Sequence, residues 1–241
     1  MKRAILDRLV ADRAAKRPVV LATDIESGLQ SLIYEQDSHG DLTLDPEVLT
    51  AARRALRDDR SGIIEAGGRR VFLQVHNPPL RLILVGAVHI AQVLAPMAAL
   101  AGYAVTIVDP RRSFATDARF PDMTLLTDWP DEAMERMELD GRTAVVALTH
   151  DPKLDDPALQ VALRSPAFYI GALGSRKTHA ARLERLRAAG LGEADLARIH
   201  GGPVGLPLGG RSPAEIALSI LAQITAVLHG APGPKAQERA A

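Results

Sequence analysis

The chain contains no cysteine. Disulfides, cysteine-ligated zinc, iron–sulfur clusters and a catalytic thiol are therefore excluded from its chemistry. It also lacks an excess of charge of either sign, with 29 Lys and Arg against 29 Asp and Glu. A nucleic-acid binder normally carries a basic excess or stripe, so no nucleic-acid partner is expected. Mixed-sign clusters such as Ala52 to Arg60 read as solvated helix surface. Long apolar runs are missing as well. The most apolar stretch, Val88 to Leu100, is interrupted by Pro96 and is too short to cross a bilayer. The N-terminus, Met1 to Leu9, is charged throughout and lacks the apolar centre of a secretion signal. A cytoplasmic protein without a membrane span is the expectation.

What is present suffices for a packed core. Hydrophobic residues make up 47% of the 241 positions, which accommodates one domain with a smaller companion. Over residues 1–78 the pattern is mixed. A helix over 1–14 presents Ile5, Leu6, Leu9 and Val10 on one face, strands follow at Val19 to Thr23 and Leu29 to Glu35, and Asp37 to Asp41 reads as a turn. Asp45 and Pro46 open a second helix to about Leu56, and Gly67-Gly68 joins a β-hairpin. This segment reads as a small α+β module, ending at Asn77-Pro78-Pro79.

Beyond Pro79 the rhythm changes to strands alternating with helices. Strands are expected at Leu82 to Val85, Val105 to Asp109, Met123 to Leu126, Thr143 to Leu148 and Phe168 to Ile170. Helices are expected up to Leu100, over 131–139, 155–163, 177–189 and 212–229. That alternation predicts an α/β fold, a Rossmann-like doubly wound parallel sheet over residues 80–229. The tail over 230–241 reads as disordered.

In a Rossmann unit three glycines shape the first strand-turn-helix, and an acid at the end of the second strand holds a ribose hydroxyl. The corresponding positions here are Gly86, Val88 and Ala91, with Asp109 lying 23 residues after Gly86. Val88 stands where the pyrophosphate would lie, which counts against an NAD(P) role. Arg111 follows Asp109 closely enough to meet a phosphate instead.

Ligands of open α/β sheets sit beyond the carboxyl ends of the strands. The candidate binding residues are therefore Gly86, His89, Asp109, Arg111, Thr149, His150, Asp151, Gly171, Gly174, Ser175 and Arg176. The run Gly171 to Lys177 brings amides, a hydroxyl and two cations to a helix start, the pattern of an anion cradle. Ser175 can alternatively serve as a plain helix cap. His89, His150 and Asp151 are too scattered to predict a metal site, and no catalytic residue is assigned. His39, His76, His179, His200 and His229 read as structural or exposed. The loop Gly201 to Gly210 is too proline-rich for a P-loop and lacks its Gly-Lys-Ser/Thr ending.

Taken in order, several segments resemble the XdhC family of xanthine dehydrogenase accessory proteins, including the CoxF-type factors. They are Leu82 to Ala91, Val108 to Arg111 with Arg119-Phe120-Pro121, Leu148 to Asp151, Tyr169 to Lys177, Gly205-Leu206 and Ser212 to Leu221. The resemblance covers about 80–229 and is faint over the first 78 residues. It implies a maturation protein that binds molybdenum cofactor (molybdopterin) and delivers it to a xanthine dehydrogenase-type molybdenum hydroxylase. A non-catalytic chaperone is implied rather than an enzyme; the alternative reading is an NAD(P)-dependent oxidoreductase. The partners implied are the target hydroxylase, a cysteine desulfurase and a second copy of the chain. Two departures stand out: the family usually has Gly-Ala-Gly-His where this chain has Gly86-Ala87-Val88-His89, and its N-terminal cysteine motif is missing. A thiol ligand to molybdenum from this protein is thus excluded.

Overall fold

A computed structural model describes residues 2–231. The expected disordered tail lies, except for its first two residues, outside the described residues. The chain divides into two compact units, residues 1–78 and 79–241.

The first unit is built on an antiparallel sheet. Its elements are α1 (Arg3–Ala14), β1 (Val19–Asp24), β2 (Gln30–Ile33), β3 (Ser38–Gly40), α2 (Pro46–Asp58), β4 (Gly62–Ala66) and β5 (Arg69–His76). The strands are ordered β3-β2-β1-β5-β4. Alternation along β1 separates two cores: Val20 and Ala22 join Val48 and Ala52 of α2, while Val19 and Leu21 join Ile5 and Leu9 of α1. Successive side chains point to opposite faces of a strand, so one apolar strand can serve a helix on each side. The segment read as a turn at Asp37 to Asp41 contains β3, because its backbone pairs with β2 in the register Ile33↔Ser38. All three residues of β3 are exposed, so no hydrophobic pattern marked it.

The second unit is the doubly wound sheet. Its strands are β6 (Leu80–Val85), β7 (Tyr103–Val108), β8 (Thr124–Leu126), β9 (Thr143–Ala147), β10 (Tyr169–Ala172) and β11 (Ile199–Gly201). Its helices are α3 (His89–Leu100), α4 (Pro130–Arg136), α5 (Pro152–Leu163), α6 (Arg176–Ala188), α7 (Glu193–Leu196) and α8 (Pro213–Leu228). The order is β11-β10-β9-β6-β7-β8, with every neighbouring pair parallel. Counted within this unit that is 6-5-4-1-2-3, so the winding reverses between β6 and β9.

Two cores flank the sheet. Leu82 and Leu84 of β6 face a cluster with Leu94 of α3 and Ile220 and Ile224 of α8. Ile83 and Val85 face another with Met134 of α4, Leu159 of α5 and Leu186 of α6. Burial on both faces explains why β6 and β9 read as unbroken apolar runs rather than as alternating ones. Short α7 and β11 escaped sequence reading because neither is long enough to show a period. Helix α5 begins at Pro152, earlier than its apolar residues suggest, because Asp151 caps it and proline is tolerated at the first position.

Candidate functional site

The carboxyl ends of β6, β7, β9 and β10 form one polar rim beside the reversal point. At the first turn Gly86 has φ of 110°, and a Cβ there would lie 2.5 Å from Cγ2 of Thr149 at the end of β9. Glycine is required here both by the backbone and by the approach of the neighbouring loop. Val88 forms the N-terminal boundary of α3 without a side-chain cap, and it lies half-buried against the apolar cluster under that helix. His89 is exposed.

Asp109 has 0% exposure, and its carboxylate is fully engaged. Oδ2 accepts from the Ala87 N–H at 2.8 Å and from Nη2 of Arg111 at 2.8 Å. Oδ1 accepts from the Arg111 N–H at 3.0 Å and from its Nε at 2.9 Å. Burial pushes this acid up, but the hydrogen bonds from Arg111 and Ala87 and the guanidinium charge outweigh it and hold the carboxyl below the usual range. The expected ribose-binding acid is therefore spent on the turn itself. Arg111, expected to meet a phosphate, is pinned by two of its nitrogens and lies over the Phe114 ring at 4.5 Å. Arg119 closes the same corner, donating from Nη1 to the carbonyls of Ala87 and Phe114 at 2.9 and 2.8 Å. Its other terminal nitrogen donates to Gln92 at 2.9 Å.

The β9–α5 loop is organised by a residue that sequence reading missed. Buried Asp155 accepts from Thr149 Oγ1 at 2.6 Å, from the Thr149 N–H at 3.3 Å and from the His150 N–H at 3.1 Å. Those bonds hold His150 in a left-handed conformation, φ 63°, with its side chain exposed. Asp151 caps α5 by accepting from the Lys153 N–H at 3.0 Å.

Behind Asp155 stands Arg182, with 1% exposure. Its Nη2 donates to Asp155 at 3.4 Å and to the Leu173 carbonyl at 2.8 Å, so it ties the β9–α5 loop to the β10–α6 loop. Burial acts against both charges, raising the Asp155 carboxyl and lowering the Arg182 guanidinium, with their mutual attraction as the counterweight. The signal in the sequence was faint. Arg182 lies seven residues beyond Ser175, two turns along the same face of α6, and a long side chain on a helix leans back toward its start.

At the head of α6, Ser175 Oγ accepts from the Thr178 N–H at 3.2 Å and lies 3.0 Å from the Thr178 hydroxyl. Gly174 has φ of 146°, while Gly171 is packed against Tyr169 and Val204. Arg176 and Lys177 are exposed. His179, set aside as structural, is clasped by the glycine loop: a Cβ on Gly201 would lie 2.5 Å from its Nδ1. Burial and the nearby Arg182 charge lower its pKa.

Thr149, His150, Asp151, Gly174, Ser175 and Arg176 thus share the rim with Gly86 and His89, while Asp109 is enclosed beneath it. Among the described residues, no three His, Asp or Glu side chains gather to hold a metal ion. Hollows lined by Lys2, Leu29 and Asp41 (about 230 Å³) and by Met134, Leu139 and Arg164 (about 250 Å³) lie elsewhere. Converging amides, hydroxyls and buried charge distinguish the rim from those hollows.

A parallel sheet wound on both faces, with its polar loops at one rim beside the reversal point, defines a Rossmann-type domain. Residues 82–224 match the family model described as the XdhC Rossmann domain, which is more than half of the chain. The chain belongs to the XdhC family. It is 35% identical over 153 residues to the molybdenum cofactor insertion chaperone PaoD of Escherichia coli K12, covering 63% of this chain and 42% of the relative. An uncharacterised Escherichia coli K12 protein, YqeB, is 34% identical over 169 residues, covering 69% of this chain and 31% of the relative. A probable xanthine dehydrogenase component of Bacillus subtilis 168 is 33% identical over 155 residues, covering 64% of this chain and 44% of the relative. The matches span less than half the length of each of these curated relatives. A crystal structure described as a xanthine dehydrogenase of Bacillus halodurans shares the fold, with a TM-score of 0.74 at 23% identity, covering 95% of this chain and 67% of that one. No helix among the described residues is long and apolar enough to cross a membrane.

Proposed function

We propose that this protein is a maturation factor that holds molybdenum cofactor as cargo at the carboxyl-end rim and passes it to a molybdenum hydroxylase of the xanthine dehydrogenase type. The observation that carries this reading is the combination of family and rim. The matched relative PaoD is named as a molybdenum cofactor insertion chaperone, and here the acid that would grip the adenosine ribose of a dinucleotide is consumed by Arg111 and Ala87. Gly86, His89, Thr149, His150, Asp151, Gly174, Ser175 and Arg176 are the proposed cargo contacts, with Gly171, Asp109 and Arg111 supporting them from below. Cargo release and uptake need no bond-making by the protein, and a cytoplasmic hydroxylase, a cysteine desulfurase and a second copy of the chain are its proposed partners.

The test is retention and transfer. Purified protein is incubated with cofactor freshly released from a molybdoenzyme, passed through a desalting column, and mixed with apo-hydroxylase. The expected result is about one cofactor retained per chain and restored hydroxylase activity. Cofactor that elutes free, and that reconstitutes the apo-enzyme equally well without the protein, defeats the proposal. Micromolar binding of NAD or NADP by calorimetry would instead favour the oxidoreductase reading.

A further inference from the structure

Arg182 carries an unexplained surplus of donors. Of its five N–H groups, the two on Nη2 are accepted by Asp155 and Leu173, whereas Nε and Nη1 are buried without an acceptor among the described residues. Unsatisfied buried cationic donors are costly and rare, and a bound ion or water is an ordinary reason for them. Their position is informative. A Cβ on Gly174 would lie 3.8 Å from Nη1 and 3.1 Å from Cγ2 of Thr178, so the guanidinium stands directly behind the loop that leads into the first turn of α6.

That turn is itself rich in donors. The N–H groups of Gly174, Ser175, Arg176 and Lys177 meet no acceptor among the described residues. Ser175 and Thr178 share one hydrogen bond between their hydroxyls, which leaves one hydroxyl proton free. Arg176 and Lys177 add exposed cations, and the helix dipole of a 13-residue helix adds to their field. The start of α3, where a Rossmann fold ordinarily seats phosphate, offers less. Its boundary residue is Val88, with no side-chain cap, and the cations at that corner are already committed to Asp109, Ala87, Phe114 and Gln92.

We infer that the phosphoryl group of the ligand is seated at the start of α6, over Arg182, rather than at the start of α3. The inference rests on the proposed reading that the rim takes a phosphorylated cargo, and it adds where the phosphate goes and which buried cation holds it. The class of ligand is a phosphate monoester or its free dianion: consecutive amides and a hydroxyl match several oxygens on one centre, and a guanidinium is suited to share them.

The experiment uses the full chain and inorganic phosphate. In a ¹⁵N-labelled sample, titration is expected to give saturable shifts at the amides of Gly174 to Thr178 and at Arg182 Nε–H. Ser175→Asp keeps a strong helix cap, so it folds, but it places a carboxylate at the seat. Its phosphate affinity is expected to fall at least tenfold, as is that of Arg182→Met, while Val88→Gly leaves affinity within twofold. Shifts centred on Val88 to Ile90, no saturable shift at all, or unchanged affinity in Ser175→Asp would each overturn the inference. The two readings separate cleanly. Phosphate saturating at α6 in a protein that retains no molybdenum cofactor defeats the cargo reading alone, and cofactor held equally by wild type and Ser175→Asp defeats the subsite alone.

Discussion

Asp109 shows how completely a single residue can change its use between the general dinucleotide-binding Rossmann pattern and a given chain. Four donors converge on its two oxygens, and all of them come from the turn it supports or from Arg111. A nucleotide would have to displace Arg111 to reach it. Asn in its place keeps one acceptor oxygen but turns an amide N–H₂ toward groups that also donate. Because Arg111 is partly exposed and can swing to solvent, Asp109→Asn is expected to cost about 2–3 kcal/mol at pH 7, measured by urea unfolding. The pH dependence follows from the direction of its shift. A carboxyl held low contributes stability that is present above its unfolded value, about pH 3.9, and fades as the pH falls through its folded value. The acid side of the wild-type stability profile should therefore be steeper than that of Asp109→Asn. Parallel profiles would show that the carboxylate does not carry this contribution.

Among the elements, α8 is the one whose start was spelled out in the sequence. Ser212 accepts from the Glu215 N–H at 3.3 Å, Glu215 accepts from the Ser212 N–H at 2.9 Å, and Pro213 takes the first helical position. This reciprocal arrangement satisfies donors that a helix start otherwise leaves open. It also draws the Glu215 pKa down to about 2, through the Ser212 and Arg211 N–H groups first and the Ser212 hydroxyl next. Ser212→Ala is expected to cost about 1 kcal/mol by chemical unfolding. Since a depressed acid supports the fold above its unfolded value and loses that support on acidification, Glu215→Gln should be destabilising at neutral pH and nearly silent near pH 2. An equal effect at both values would assign the loss to packing. Other elements were less readable. Helix α6 has a polar, uninformative periodicity, and its most consequential residue, Arg182, is a buried cation that pattern reading assigns to a surface. Strand β3 is exposed throughout, so only its pairing with β2 defines it.

The whole molecule comprises two units, each with its own apolar clusters. A unit that encloses its own core can fold alone. The fragment 79–241 is accordingly expected to show α/β circular dichroism and a single cooperative thermal transition; a broad, non-cooperative melt would contradict that. At this scale the sequence by itself determined a good deal. Unbroken apolar strands alternating with helices can be buried only in a parallel sheet covered on both faces, and the glycine turn at Gly86 marks where that sheet begins. The ordered motifs of the second unit likewise carried the family. Tertiary structure alone decided which groups the rim residues meet. Whether Asp109 faces a ligand depends on where Arg111 places its guanidinium, and whether α6 can hold an anion depends on Arg182, Asp155 and Leu173, residues up to 27 positions apart. Periodicity reports which face of an element is buried. It carries no information on which donors meet which acceptors once loops from four strands converge, and that pairing sets the charge left available to a ligand.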